Sequence, residues 1–127
     1  MRAFLGISIP EDLKPMIVSV QDRLLDFDIK LVEKENLHFN LKFFKEISRD
    51  DIEKLKRVLA DVCKQFNPFE INVYGTGAFP NRNYIKVLWL GVKDGYQTLA
   101  ALADMIEKSL ESIGYDIEEK FVPHLTL

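Results

Sequence analysis

At 127 residues, 47% of them hydrophobic and 29% charged, the chain is long enough for one domain whose core needs neither disulfide nor metal. A net charge of −3 and a pI of about 5.4 argue against a protein that coats long RNA or DNA through a basic surface, although a few local donors suffice to grip a single terminal phosphate. The single cysteine, Cys63, excludes an intramolecular disulfide and fits a reducing compartment; no apolar run could span a bilayer and the N-terminus lacks a signal-peptide layout, so the cytoplasm is the expected location.

In chain order, residues 2–9 are apolar and β-branched enough for a buried strand. Pro10, Glu11 and Asp12 make a helix entry, with proline near the first turn and acids beside the positive end of the dipole. That helix is expected to reach about residue 26, with Pro15 in its first turn or at a mild kink. Residues 29–33 look extended, and a strand follows over roughly 36–45. Ser48 and Asp51 resemble a capping box, with aspartate in place of glutamate. They open a helix with an apolar face of Ile52, Leu55, Leu59, Val62, Cys63 and Phe66, which makes Cys63 a buried structural thiol. Asn67-Pro68 ends it. Residues 69–75 and 84–92 read as strands, joined by a loop over 75–83 that contains Gly77, Pro80 and Asn81. A third helix over about 95–113 carries Leu99, Leu102, Ile106, Leu110 and Ile113 on one stripe and stops at Gly114. The last strand covers 117–127. The order is strand–helix–strand, a linking helix, then strand–strand–helix–strand: two similar halves, each ending in a histidine-bearing strand.

The only histidines, His38 and His124, sit 86 positions apart in matching contexts, Leu37-His38-Phe39-Asn40-Leu41 and Pro123-His124-Leu125-Thr126-Leu127. Alternate residues of a strand share a face. His38, Asn40 and Lys42 are therefore expected to point one way and Phe39, Leu41 and Phe43 the other. His124 and Thr126 likewise share a face. If the halves pack about a pseudo-two-fold axis, both histidines meet across one cleft. Taken singly, each motif is a weak signal, since a lone histidine in an apolar strand is more often a core or edge residue than a catalyst; the two copies, each late in its half, are what point to a site.

Such a pair suits phosphoester cleavage without a metal. One neutral imidazole takes a proton from the attacking water or hydroxyl, and the other, protonated, gives one to the leaving oxygen. Thr126 through its hydroxyl and Asn40 through its amide nitrogen can donate to a non-bridging phosphate oxygen. Lys42 could add positive charge, a solvated surface lysine being the alternative. Phe79, at the mouth of the 75–83 loop, either stacks on a base or anchors the loop in the core. Two histidines and one helical cysteine supply no obvious zinc set. Gly75 and Gly77 lack the rest of a phosphate-binding fingerprint, and no Gly-x-Ser-x-Gly elbow is present.

Several blocks, in order along the whole chain, carry a family resemblance: Met1-Arg2-Ala3-Phe4, Asn36-Leu37-His38-x-Asn40-Leu41-Lys42-Phe43, Gly77-Ala78-Phe79-Pro80-Asn81, Val87-Leu88-Trp89-Leu90-Gly91-Val92 and Phe121-Val122-Pro123-His124-Leu125-Thr126-Leu127. Together they resemble the 2H phosphoesterase superfamily, and within it the RNA 2′,3′-cyclic phosphodiesterases, also called 2′-5′ RNA ligases. The resemblance implies an α+β fold of two pseudo-symmetric lobes, with antiparallel sheets lining a central cleft and helices outside. It implies that His38 is the proton donor and His124 the base that activates water. The implied reaction opens a terminal 2′,3′-cyclic phosphate on RNA, or on a small cyclic-phosphate nucleotide, to a 2′-phosphate. Run backwards with a 5′-hydroxyl, it gives 2′-5′ ligation. No metal, ATP or other cofactor is implied.

Two departures stand out. Asn40 occupies a position where the family has threonine, which implies reduced but not abolished activity. The chain stops on the second motif, without the helix, strands and basic residue that follow it in the family. The second lobe is thus expected to be incomplete, with His124 poorly ordered on an open edge that invites association. The alternatives to an enzyme are a non-catalytic RNA- or nucleotide-binding module on the same scaffold, or an inert fragment.

Overall fold

A computed structural model describes residues 1–116 and 122–127. Its element order is β1 (Ala3–Ser8), α1 (Lys14–Asp22), a 3₁₀ turn (Lys34–Asn36), β2 (His38–Phe44), α2 (Arg49–Cys63), β3 (Val73–Asn81), β4 (Tyr84–Val92), α3 (Tyr96–Glu111) and β5 (His124–Thr126). All five strands join one antiparallel sheet in the order β1-β2-β5-β4-β3. The two halves read from the sequence are thus two wings of one sheet, stitched together where Phe39 pairs with Leu125.

One face of the sheet meets the helices. Phe39, Phe44, Leu90, Val92, Leu125 and Leu127 form a single core with Ile17 of α1, Leu55 and Val62 of α2, and Leu99, Leu102, Ile106 and Leu110 of α3. Of the expected apolar stripes, Leu55, Val62, Leu99, Leu102, Ile106 and Leu110 are buried, and Ile52, Leu59, Phe66 and Ile113 are partly buried against the core. Cys63 departs from the expectation: it is exposed at the end of α2. Ser48 caps α2 as its position suggests, its Oγ accepting from Asp51 N at 3.1 Å. Gly114, at φ +99°, follows α3 in the left-handed conformation expected of a helix stop, and Tyr115 N closes back on Leu110 O. The first helix ends at Asp22 rather than near residue 26, with Pro15 in its first turn.

Among the described residues, the helices leave the opposite face of the sheet bare. Phe4, Gly6 and Ser8 of β1 are exposed while Ala3, Leu5 and Ile7 are partly covered, so the strand expected to be buried is an edge strand with one solvated face. The segment 75–83, expected to be a loop, is mostly strand. β3 runs through Gly75, Gly77 and Pro80 to Asn81, and only Arg82 and Asn83 make the turn to β4. Proline and glycine survive there because β3 is the other edge strand.

The last strand departs most from expectation. Of the expected range 117–127, residues 117–121 lie outside the described residues. β5 itself is central, not an open edge. It pairs with β2 on one side and β4 on the other, Leu127 N bonds Leu88 O at 3.0 Å, and Val32 N bonds Leu127 O at 3.1 Å. Leu125 is fully buried, a contribution of about 1.5–3 kcal/mol. That burial and two-sided pairing hold a three-residue strand in place.

Candidate active site

The register of the central strands assembles the site. Phe39 and Leu125 face each other and point into the core, so their neighbours point to the bare face. Antiparallel geometry then sets Thr126 across from His38 and His124 across from Asn40. The four residues form a two-by-two tile whose histidines lie on a diagonal of about 7–8 Å. The sheet extends the tile into two rows. Ser8, His38, Thr126, Trp89 and Gly77 follow one another across the five strands; Gly6, Asn40, His124 and Gly91 form the second row. The sequence expectation that both histidines, Asn40 and Thr126 share one face holds in this structure.

Each imidazole is held in the same way. His38 Nδ1 lies 2.5 Å from Asn36 O and His124 Nδ1 lies 2.6 Å from Val122 O, in both cases the carbonyl two residues earlier. A carbonyl oxygen only accepts, so Nδ1 donates and carries a proton in each ring. The tautomer is thereby set, and Nε2 is the nitrogen left to exchange a proton with a ligand. Each ring also rests on an aromatic: Phe4 stacks on His38 at 4.6 Å and 25°, and Phe79 meets His124 edge-on at 5.0 Å and 87°. Trp89 lies 5.8 Å from His124 and 5.3 Å from Phe79.

Glycines keep this face low. A Cβ at Gly77 would fall 2.1 Å from Trp89 Cζ2, and one at Gly6 would fall 2.9 Å from His38 Cδ2. Beside His38 a cavity of about 500 Å³ is lined by Phe4, Gly6, Ser8, Lys14 and Asn36 among others. Asn40 Oδ1 and Trp89 Nε1 are buried without a hydrogen-bond partner among the described residues. Such orphans cost roughly 1–3 kcal/mol each, and a role in binding or catalysis is one explanation for keeping them.

Lys42 is a correction. It was expected on the histidine face, but the β1–β2 pairing shifts register after Gly6–Asn40, so that Leu5 faces Lys42 and Leu41 is the extra residue of a bulge. The bulge reverses the alternation. Lys42 turns to the helix side, 3% exposed at its side chain, and its Nζ donates to Glu107 Oε1 and Oε2 of α3 at 3.0 and 3.2 Å. Phe43 takes the open face instead. Phe79 is half-buried in the wall beside His124, neither in a loop nor remote from the site. Phe4, Gly6, Trp89, Gly77 and Gly91 were not singled out as site residues from the sequence. The alternation of Phe4, Gly6 and Ser8 against Ala3, Leu5 and Ile7 was the available signal for the first two.

Among the described residues, no three His, Cys, Asp or Glu side chains gather as a metal site would need. No helix among them is long and apolar enough to cross a membrane.

Known proteins resemble this chain in sequence and in fold. A family model described as LigT-like phosphoesterase matches residues 7–89. The RNA 2′,3′-cyclic phosphodiesterase of Methanocaldococcus jannaschii is 41% identical over 127 residues, spanning 100% of this chain and 70% of that protein. Its namesake from Methanothermobacter thermautotrophicus is 38% identical over 129 residues, with the same two shares. Among solved structures, TT0787 of Thermus thermophilus superposes with a TM-score of 0.82 at 22% identity, over 100% of this chain and 73% of that one. Escherichia coli LigT complexed with 3′-AMP superposes with a TM-score of 0.78 at 23% identity, over 98% of this chain and 70% of that one. With a family model over most of its length and relatives near 40% identity across the whole of this chain, the chain belongs to the LigT-like 2H phosphoesterases.

Proposed function

We propose that this protein is an RNA 2′,3′-cyclic phosphodiesterase that opens a terminal cyclic phosphate to a 2′-phosphate by two-histidine acid/base catalysis. The observation that carries the reading is the matched pair of imidazoles on one bare face, each with Nδ1 tied to a backbone carbonyl and Nε2 available. The names of the two relatives supply the substrate class.

The phosphoryl group sits over the tile between the rings. His124 Nε2 takes a proton from water as its oxygen bonds to phosphorus. The bond from phosphorus to the 3′-oxygen breaks as His38 Nε2 gives that oxygen its proton. Thr126 Oγ1 and Asn40 Nδ2 donate to the non-bridging oxygens, where charge develops. His124 ends protonated and His38 neutral; exchange with solvent restores both. With a 5′-hydroxyl in place of water, the same steps form a 2′-5′ linkage. The chain's own groups suffice for this chemistry, without a metal or nucleotide cofactor. With its single cysteine, exposed on α2, the protein fits the reducing cytoplasm.

The test is turnover of a short RNA ending in a 2′,3′-cyclic phosphate, with chelator and without ATP, for the wild type, His38→Ala and His124→Ala. A 2′-phosphate product, lost by about 10²–10⁴-fold in each variant, is expected. kcat/KM should be bell-shaped against pH, and each variant should lose one limb. Wild-type turnover that survives both substitutions would sink the mechanism. Tight binding of phosphate-ended RNA with no turnover would instead favour the non-catalytic module, a reading that Asn40 in place of threonine keeps open.

A further inference from the structure

The charge of this chain is unevenly placed. Residues 71–93 contain Arg82, Lys86 and Lys93 and no carboxylate, so they carry +3 in a chain of net charge −3, and the remainder carries −6. These residues are the β3–β4 hairpin, which carries Arg82 and Lys86, with Ile71, Asn72 and Lys93 beside it; the hairpin is the wing that supplies Phe79, Trp89 and Gly91 to the wall of the site. All three cations are exposed, and none pairs with a carboxylate among the described residues. At the hairpin tip, Tyr84 is 63% exposed with Lys86 Nζ 5.6 Å from its ring centroid, and Arg82 lies in the turn. The opposite flank differs. The cavity beyond His38 bears Glu11 and Glu35, and its lysine, Lys14, is held by Glu11 at 2.9 Å.

An exposed aromatic set among unpaired cations is the surface that single-stranded nucleic acid uses, stacking bases on the ring and laying phosphates on the cations. We infer that the β3–β4 tip, through Arg82, Tyr84 and Lys86, is the track for the single-stranded RNA that leads to the terminal phosphate. The inference rests on the phosphodiesterase reading and adds where the body of the substrate runs: over the basic wing, away from Glu11 and Glu35. From Trp89 to Tyr84 is five residues along β4, about 17 Å at ~3.4 Å per residue. Beyond a Debye length of about 8–10 Å at physiological salt, the tip exerts little pull on the terminal phosphate itself. Its contribution therefore goes to internal nucleotides, and a mononucleotide gains nothing from it.

The experiment compares wild type with Arg82→Glu/Lys86→Glu, and separately with Tyr84→Ser, on two substrates: a single-stranded decamer ending in a 2′,3′-cyclic phosphate and a 2′,3′-cyclic mononucleotide. The charge reversal is expected to lower kcat/KM on the decamer at least ten-fold and leave the mononucleotide within two-fold. Tyr84→Ser, which changes no charge, is expected to lower the decamer value several-fold. The slope of log kcat/KM against log salt on the decamer should fall by about 1.4 for two lost phosphate contacts at roughly 0.7 each. Equal losses on both substrates, or no loss on the decamer, would overturn the inference. Absence of wild-type turnover on either substrate is a failure of the phosphodiesterase reading alone. The track is then read by fluorescence anisotropy of a labelled decamer ending in a 2′-phosphate: a Kd at least ten-fold weaker in the charge reversal supports it, and an unchanged Kd overturns it. Displacement of the decamer by polyglutamate as readily as by polyuridylate would also overturn it, assigning the surface to an acidic protein.

Discussion

Gly77 offers the sharpest test of how the wall of the site is built. Its φ is not among the positive values, so space alone accounts for the missing side chain. A methyl there would sit 2.1, 2.4 and 2.5 Å from Trp89 Cζ2, Cη2 and Cε2. Comfortable carbon contacts lie at about 3.5–4.0 Å, so the indole must retreat by about 1.5 Å in Gly77→Ala. The ring has little room, with Phe79 at 5.3 Å and His124 at 5.8 Å between centroids. Overpacking of this kind costs about 1–3 kcal/mol. At about 4 °C per kcal/mol for a chain of this size, Tm should drop by roughly 4–12 °C. A displacement of about 1 Å passed to His124 should lower kcat/KM on a cyclic phosphate by at least ten-fold, within the ~10² that such misplacement costs. Differential scanning fluorimetry and initial rates measure the two effects. Gly75→Ala is the comparison, because nothing lies within 4 Å of its Cβ position and only its φ of +78° opposes a side chain. It should lose about 1–2 kcal/mol of stability and keep its kcat/KM. In Gly77→Ala/Trp89→Leu the losses should be less than additive, since the second change clears the space the first one fills. Wild-type Tm and kcat/KM in Gly77→Ala would refute the packing argument.

Three further outcomes follow from the same geometry. Asn40→Thr removes the buried, unpartnered Oδ1 and keeps a donor toward the tile, so a gain of about 1 kcal/mol in urea melts and a higher kcat/KM are expected; no change in either would remove Asn40 from the phosphate site. Lys42→Met breaks the buried pair with Glu107 and should cost about 3–5 kcal/mol while leaving kcat/KM per folded molecule intact, and a selective loss of activity would contradict its placement on the helix side. Tyr115 donates to Asp51 Oδ2 at 2.7 Å, and burial, then that hydrogen bond, push its pKa up from 10.0 to about 12. The folded protein keeps this proton to higher pH than the unfolded chain, so the stabilisation is full below pH 10 and is lost as pH rises from 10 through 12. Tyr115→Phe should flatten that part of the stability profile, and parallel curves for the two proteins across the window would refute the linkage.

Much of the architecture was legible in local pattern. The stripes of α2 and α3, the Ser48 cap and the Gly114 stop are short-range features, readable because helix periodicity and capping chemistry repeat within a few residues. So was the pairing of each histidine with a donor two positions on, which strand alternation carries to one face. Lys42 departs from the same rule, because a single extra residue in β2 reverses the side chains beyond it, and that bulge shows only in the pairing of β2 with β1. The part of β3 beyond Gly75 reads as a loop because its glycines and proline are turn formers in isolation. They are tolerated on an edge strand, and Gly77 answers to an indole twelve residues further along the chain.

By itself, then, the sequence determined the two matching histidine motifs and which faces of its helices are apolar, since both depend on side-chain identity and near neighbours. Only the tertiary structure decided that β5 slots between β2 and β4. That insertion sets His124 across from Asn40 and brings the two imidazoles onto one face from 86 residues apart. Long-range register of this kind arises from the whole core closing at once around Phe39 and Leu125, and no window of neighbouring residues encodes it.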